Sequence, residues 1–581
     1  MKTVRKLLAI LLALTLSLAV FPVLAEEGTA SITVTFDLNT TPDLTDDETY
    51  VYTTTGYDAN WQPVTEEKPA VFPAEDGVLS VDLPVPAREG WYFAGWQTKA
   101  DVTEADLING VSPFLWLPGH KASPFGQAMQ APDEVMDLTP YADENGQVRL
   151  YARWVQPKAI DSPEALQAMA NDLYGAYKLT ADIDMSGFAF IPVGCYFKNY
   201  ELFETAWWTY AFRGTLLGSG HTISGLTLNS AARDIAGYQD TPVWHDDGVT
   251  CDGTVGLFGA IAGASISDLI LQDAVIDLAG EHAYDGGFCY VGTIAAFDMA
   301  STLRNIQVIN VTIRVETTEA TAEHRDSAYV SVAGLEGGGW NSTVGSCAVS
   351  GQIDLTVTTA KSHGGSVYLG GMIAENYANI TGCRVEGMKL ALNHQDISEK
   401  AEDEMLTVNV GGLGGSNTSS TGCTVDAEIS VNVAKPVGQA SVAVGGFTGS
   451  QYYMTATENK VNAAISMANA LDPEQGSESV GSVAGRFDAF WALQILQYTP
   501  IAACGTSGNT TAVTLNGETV EKVIGTVPEL DGQPLGWINN GEYQIAEGYV
   551  APSNVEAVIE KYGSPVPQEA LMQGIIWIQA D

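Results

Sequence analysis

The chain has 581 residues, which is enough for two or three domains with cores of their own. Charged residues make up 17% of it and 60 residues are glycine, a composition that favours glycine-punctuated β structure over long surface helices. Acidic residues outnumber basic residues 70 to 26, so no basic surface is expected to neutralise phosphates. We therefore expect neither nucleic acid nor an anionic membrane surface as a partner, whereas cations or uncharged polymers such as glycans fit this charge.

Residues 1–25 have the pattern of a cleavable signal peptide. Three basic residues, an apolar run over 7–20 and a small-residue site ending at Ala25 follow one another. An uncleaved membrane anchor is the alternative, but Thr15, Ser17 and Pro22 interrupt the apolar stretch. The sequence predicts a secreted or cell-surface protein with no transmembrane segment after signal cleavage.

Residues 26–155 are predicted to form a small β domain. Alternating strand patterns open it at 31–39 and close it at 148–154, and a strand rich in aromatic residues lies between them. Trp91 and Trp96 of that strand are predicted core residues, with a ligand platform as the alternative. The region resembles the internalin-type B-repeat, also called the Listeria-Bacteroides repeat, at Phe36, Asp37, Gly90, Phe93, Ala94, Gly95, Trp96, Leu150, Tyr151, Ala152 and Trp154. The resemblance implies a β-grasp-like fold and a spacer or adhesion role.

A linker at 156–161 leads to a short predicted helix. Ser162 is its expected N-cap and Pro163 its first residue, and Leu166, Met169 and Leu173 share one face. The segments 191–194, 212–216 and 220–226 that follow resemble the start of GLUG-motif domains. Those domains are exported β-helical proteins, so the resemblance implies a β-helix here.

A glycine-hydrophobic pair recurs through the next part of the chain. The pairs are Gly256-Leu257, Gly292-Thr293, Gly334-Leu335, Gly371-Met372, Gly412-Leu413, Gly446-Phe447 and the degenerate Ser482-Val483, separated by 36, 42, 37, 41, 34 and 36 residues. Such a period indicates a solenoid, because one repeat cannot bury its apolar face without a stacked neighbour. The glycines are expected at tight corners. Upstream of each corner, alternate residues such as Val330 and Val332 should face inward and those between them outward.

These repeats have no helical period, so the predicted fold class is mainly β, a right-handed parallel β-helix over 162–509 that follows the small β-grasp-like domain. The polar variable stretches 316–329, 358–366, 393–405, 435–441 and 469–479 recur at one phase of the repeat and should decorate one edge of the rod. Residues 510–581 are predicted to be a C-terminal cap or small appended domain, with a capping box at Ser553 and Glu556.

Three of the seven cysteines occupy the same place in successive repeats. Cys347, Cys383 and Cys423 each lie two residues before a valine. Stacking would bring their Cα atoms within disulfide range, but in-register side chains point in parallel, so we predict a reduced ladder of buried thiols.

The search for catalytic and cofactor motifs finds none, and no cofactor, metal site or catalytic residue is predicted. The seven histidines have no partners at metal-ligand spacing and are predicted at the surface or in turns. The aromatic residues of 196–212 are predicted to plug the first turn of the solenoid, with a sugar-stacking surface as the alternative.

Glu386 and Asp426 follow the ladder cysteines by three residues and are predicted to face outward on adjacent turns. Their separation would be about 5 Å, near that of the carboxyl pair in retaining glycoside hydrolases. The other reading is two solvated surface acids, with Arg384 on the same face. The sequence therefore predicts a non-catalytic adhesion or binding module for a glycan, cell-wall or host-surface component. The alternative is a polysaccharide lyase or glycoside hydrolase that uses this face.

Overall fold

The structure, a computed structural model, is mainly β. It describes residues 32–39, 145–173, 175–194, 211–229, 254–285, 288–299, 301–318, 328–359, 365–397, 405–434, 438–451, 455–471, 476–487 and 505–526, together with shorter strand segments elsewhere. The chain divides into two compact units. The first comprises 1–86, 95–115 and 133–153, and the second comprises 87–94, 116–132 and 154–581.

The first unit is built on a five-stranded sheet. Its strand order is Val71–Ala74, Ile32–Asp37, Gln147–Val155, Tyr92–Gln97 and Phe114–Leu115, and a separate hairpin pairs Val51–Tyr57 with Pro63–Pro69. The first and last long strands are parallel neighbours. Phe36 and Leu150 are a register pair on these strands and are fully buried, and the buried Asp37 carboxylate pairs with the Arg149 guanidinium at 3.0 Å.

The second unit begins with the short helix that the sequence predicts. It spans Pro163–Gln167 and continues as a 3₁₀ turn over Ala168–Asn171, and the Ser162 hydroxyl accepts a hydrogen bond from the Ala165 amide at 3.3 Å. A second 3₁₀ turn lies at Gly280–His282. Leu166 and Met169 are fully buried against the strands that follow.

Those strands form a parallel β-solenoid of about seven turns, which confirms the predicted fold class. Each turn contributes to three sheets. We number the turns from the strands of sheet A: Thr254–Val255, Phe288–Gly292, Ala328–Ala333, Gly365–Gly370, Leu406–Gly411, Ala440–Gly445 and Gly476–Gly481.

Sheet B follows sheet A after the glycine corner. Its strands are Lys158–Ile160, Ala176–Leu179, Thr215–Leu217, Phe258–Ala262, Ser265–Ser267, Ala295–Met299, Thr302–Arg304, Glu336–Gly345, Ile373–Thr381, Gly414–Thr421, Thr448–Gln451, Thr455–Thr457, Ala484–Phe487, Gly505–Ser507, Ile524–Thr526, Trp537–Asn539 and Glu542–Gln544. Outside the three sheets, two short antiparallel pairs join Glu529–Leu530 to Gln533–Pro534 and Tyr549–Val550 to Ile578–Gln579.

Sheet C completes each turn. Its strands are Ile183–Asp184, Thr222–Ser224, Thr227–Asn229, Ile270–Gln272, Val275–Leu278, Tyr284–Asp285, Gln307–Thr318, Ala348–Thr359, Arg384–Asp396, Thr424–Val433, Lys460–Met467, Thr510–Leu515 and Glu518–Thr519. The parallel pairing runs past residue 509 through Thr510–Leu515, and Glu518–Thr519 then returns antiparallel. The predicted helix after Ser553 lies outside the described residues.

The corner between sheets A and B leaves no room for a side chain at its glycine positions. In turn 5, a Cβ on Gly411 would lie 2.1 Å from the Gly414 carbonyl oxygen, and one on Gly412 would lie 2.3 Å from the Gly446 carbonyl oxygen of the next turn. Glycine is required there by close backbone approach and not by a positive φ. The first corner position shows the same clash at Gly292, which pairs with Ala333. Thr293, and not Gly292, is therefore the equivalent of Gly334. The predicted spacing of 42 residues between Gly292 and Gly334 is one residue too long for equivalent positions.

The outer face of sheet A is buried, contrary to the sequence prediction. Ser331, Tyr368 and Asn409, which lie between the inward valines and leucines, are at most 6% exposed. The corner is so tight that the start of sheet B packs on that face, where the Ser331 hydroxyl donates to the Gly337 carbonyl oxygen at 2.6 Å. Alternation along a strand predicts two faces correctly, but it does not tell which of them meets solvent.

A second bend, between sheets B and C, repeats in every turn. Its first residue has a positive φ, whether it is glycine or not: Ser219, Asp268, Asn305, Ser346, Gly382, Gly422, Glu458 and Gly508. After Asp268, Asn305, Ser346, Gly382, Gly422 and Glu458 the next residue is buried, and in turns 4 and 6 it caps the turn before. Cys383 Sγ accepts from the Cys347 amide at 3.3 Å, and Asn459 Oδ1 accepts from the Cys423 amide at 2.9 Å.

The cysteines of this bend form the reduced, buried ladder that the sequence predicts, since Cys347, Cys383 and Cys423 are free thiols. The hydrogen bond with Cys347, together with burial, raises the pKa of Cys383 to about 12. A hydrogen bond with Cys383, and then burial, raises the pKa of Cys423 as well. These thiols are poor nucleophiles and serve as packing and capping groups.

Replacing Gly412 by valine tests the corner. We expect a loss of about 1 to 3 kcal/mol in the free energy of unfolding, because the new Cβ meets a backbone carbonyl of the next turn. Gly345→Val is the matched control, since a Cβ at Gly345 meets no atom within 4 Å. Urea unfolding of both variants is the measurement, and equal midpoints for the two would contradict the stacking of the corners.

Replacing Asn459 tests the capping column. We expect Asn459→Ala to cost about 1 to 3 kcal/mol, because the buried Cys423 amide loses its acceptor. Asn459→Cys should recover much of that loss, since a thiol takes the same role at Cys383. Thermal unfolding of the two variants decides the point, and a cysteine variant no more stable than the alanine variant would show that capping is not the reason.

Candidate binding groove

The outward face of sheet C is polar and regular. In turn 5, Val425 and Ala427 are buried whereas Asp426 and Glu428 are exposed, as the two-residue period of a strand requires. Parallel pairing repeats this pattern from turn to turn. Each outward residue therefore lies about 4.8 Å from its equivalent in the next turn.

The strand of turn 4 carries a β-bulge that the next turns lack. Glu386 and Gly387 both face outward between the buried Val385 and Met388, and Gly387 has a φ of +61°. In turn 5, Asp426 alone stands opposite these two residues. A bulge inserts one unpaired residue and bends its strand. The outward face of sheet C therefore has a step between turns 4 and 5.

A groove of about 450 Å³ lies beside this step. It crosses four successive turns, which span about 14 Å along the rod. Its lining consists of Arg384, Val385, Glu386, Thr424, Val425, Asp426, Lys460, Val461, Asn462, Thr510 and Ala512. The groove thus presents one set of side chains from each turn. One of its walls is the bulged strand of turn 4.

The groove carries two acidic and two basic side chains. The Arg384 guanidinium donates from Nε to Glu386 Oε1 at 2.7 Å, and the Asn462 amide donates to Asp426 Oδ1 at 2.6 Å. No described side chain pairs with the ammonium of Lys460. The groove therefore has no net charge, and Lys460 is its unengaged donor.

Glu386 and Asp426 lie together in this groove, on the outward face of adjacent turns as the sequence predicts. The sequence analysis missed the bulge and with it the roles of Gly387 and Asn462. A general acid for glycoside cleavage sits in an apolar pocket that keeps it protonated. Glu386 instead has a side chain 56% exposed and paired with a guanidinium group. The pair is arranged as hydrogen-bond acceptors.

The aromatic segment before the solenoid is described at its last residue. Phe212 is fully buried, its ring stacks on Phe258 with centroids 4.8 Å apart, and Tyr177 lies 6.2 Å away. Phe212 therefore fills the core of the first turns. The aromatic residues of 196–210 lie outside the described residues.

Two predictions about single residues are wrong. Trp91 is 38% exposed and not a core residue, and the Arg88 guanidinium lies 4.5 Å from its ring centroid. His394 is buried and not at the surface, because it occupies an inward position of its strand after Leu390 and Leu392. His221 is in a turn, as predicted, with Nδ1 3.2 Å from the Asp182 carboxylate.

An aromatic ladder that the sequence analysis missed lies between sheets A and B. The rings of Tyr290, Tyr329 and Tyr368 follow one another with centroids 5.7 and 5.5 Å apart. The Tyr329 hydroxyl donates to the Glu375 carboxylate, and burial raises the pKa of Glu375 to about 8. The 39-residue spacing of the tyrosines was the available signal, but the sequence analysis expected the outer face of sheet A to be exposed.

Within the described ranges, no group of three or more histidine, cysteine, aspartate or glutamate side chains is placed to hold a metal ion. None of the helices in the described part of the chain has the length and apolar character needed to cross a membrane.

Comparison with known proteins gives no match: no protein-family model, curated protein or solved structure matches the chain. The functional argument therefore depends on the groove and on the sequence.

Proposed function

We propose that the chain is an exported binding protein that holds an uncharged, hydroxyl-rich polymer, a glycan or cell-wall polysaccharide, in the groove on sheet C. The observation that carries this proposal is the groove itself, which repeats a set of polar groups in each of four turns. A polymer aligned with the rod can make an equivalent contact at each turn. A small ligand would contact the polar groups of one turn, and those of the other turns would make no contact with it.

The chemistry of the lining suits hydroxyl groups. Lys460 donates, Glu386 and Asp426 accept, and Thr424 and Thr510 do both. The groove has no net charge, whereas the chain carries −44, so long-range repulsion disfavours a polyanion. The proposed ligand class is therefore neutral.

The export and family assignments are part of the same proposal. The signal pattern of 1–25 supports a secreted or cell-surface location, and the resemblances to GLUG-motif proteins and to the internalin-type B-repeat support adhesion. The parallel solenoid agrees with the β-helix that the GLUG resemblance implies. The parallel first and last strands of the small domain agree with a β-grasp-like arrangement.

Affinity electrophoresis of the full chain against a panel of neutral polysaccharides tests the proposal. We expect retardation by at least one polymer, and Lys460→Ala should weaken it by about tenfold or more, since a hydrogen bond to a charged group contributes about 1.5 to 3 kcal/mol. Lys389→Ala is the matched control. Lys389 lies on the same face outside the groove lining, in an exposed ion pair with Glu428 at 3.6 Å.

Two results would overturn the proposal. One is binding that falls equally in both lysine variants, which would place the ligand elsewhere. The other is release of reducing or unsaturated sugars from any polymer that disappears in both Glu386→Gln and Asp426→Asn. That result would establish the polysaccharide lyase or glycoside hydrolase alternative.

A further inference from the structure

Two carboxyl groups occupy core positions of sheet B. Glu336 pairs in register with Ala295 of the turn before and Ile373 of the turn after, and Asp298 follows Ile261. All three neighbours are buried hydrophobic residues. Asp298 and Glu336 are themselves 0% exposed. Ionised side chains at such positions lose their hydration and are costly unless they are paired.

A side-chain hydrogen bond with Glu336 is among the interactions that act on Asp298, so the two carboxyl groups lie next to each other. The other groups that face Asp298 are the Ser301 hydroxyl and amide and the Ser342 hydroxyl, and the Ser301 amide donates to Asp298 Oδ1 at 3.2 Å. Among the described residues, Glu336 is the titratable group that faces Asp298, and no described lysine, arginine or histidine pairs with Asp298. A hydrogen bond between two carboxyl groups requires a proton on one of them.

We propose that Asp298 and Glu336 hold one proton between them inside the solenoid, and that this shared proton makes the stability of turns 2 and 3 depend on pH. Like charges at contact distance in a low-dielectric core cannot both be ionised without strong repulsion. The serines supply polar partners but no positive charge. The proton therefore takes the role that a cation has in a buried ion pair.

The direction of the pH effect follows from the folded pKa. Burial raises the pKa of Asp298 from 3.8 to about 6, so between these values the folded state binds more protons than the unfolded state. The stabilisation that this pair contributes is complete below pH 3.8 and falls as the pH rises to about 6. Above about pH 6 it stays constant at its reduced value. Glu375 acts in the same sense, but its window extends to about pH 8.

The test compares Asp298→Asn with the wild-type chain. An asparagine amide donates to Glu336 without needing a proton, so the difference in Tm, variant minus wild type, should rise between about pH 4 and about pH 6 and then level off. Taking the difference removes the contributions of the other acidic residues. Glu375→Gln is the matched control, for which the difference should continue to rise to about pH 8.

Infrared spectroscopy in D₂O supplies a second readout that does not depend on the variant's stability. At about pH 5 the wild-type chain should show the carbonyl band of a protonated carboxyl group, and Asp298→Asn should lack that share of the band. A Tm difference that does not change with pH, or a wild-type spectrum without the band, overturns the proposal. So does a wild-type Tm that falls on adding a chelator, because that result would place a bound cation between the carboxylates.

Discussion

The structure depends on one constraint: successive turns must stack in register, so that each turn fits its neighbours at every corner. The constraint is most severe between sheets A and B, where a side-chain atom on Gly412 would lie 2.3 Å from a carbonyl oxygen of the next turn. The glycines there are consequences of stacking. The positive-φ residues of the second bend follow from the same requirement, and there Cys383 and Asn459 each cap the turn before.

The groove is an interruption of this regularity. A solenoid whose turns were all alike would present a flat face on sheet C, with no groove. The bulge at Glu386 and Gly387 changes the level of this face in turn 4, as a register shift also does between turns 2 and 3, and the three turns after turn 4 supply the regular polar lining of the groove. The core carboxyl pair is a second interruption, inside the rod, where two acids stand at positions that their neighbours fill with hydrophobic residues. Both features lie where the repeat departs from its consensus.

The sequence predicts the solenoid well because stacking leaves a visible period in glycine, valine and cysteine. It also places Glu386 and Asp426 on adjacent turns, because the spacing from the ladder cysteines is constant. It does not predict the bulge, since one extra residue in a loop and one in a strand give the same spacing. Nor does it predict the burial of Ser331 and Tyr368, because alternation divides a strand into two faces without telling what covers each.

Distances between spin labels along one column of sheet C test the stacking most directly. Asp277, Arg314, Asp354, Ala391, Ser430 and Ser466 are in register in successive turns. With genetically encoded labels, the pair Arg314 and Ser466 should be about 19 Å apart and the pair Asp277 and Ser466 about 24 Å apart, one strand spacing more. Equal distances for the two pairs, or a change much larger than one strand spacing, would contradict the solenoid register from which the groove and the carboxyl pair both follow.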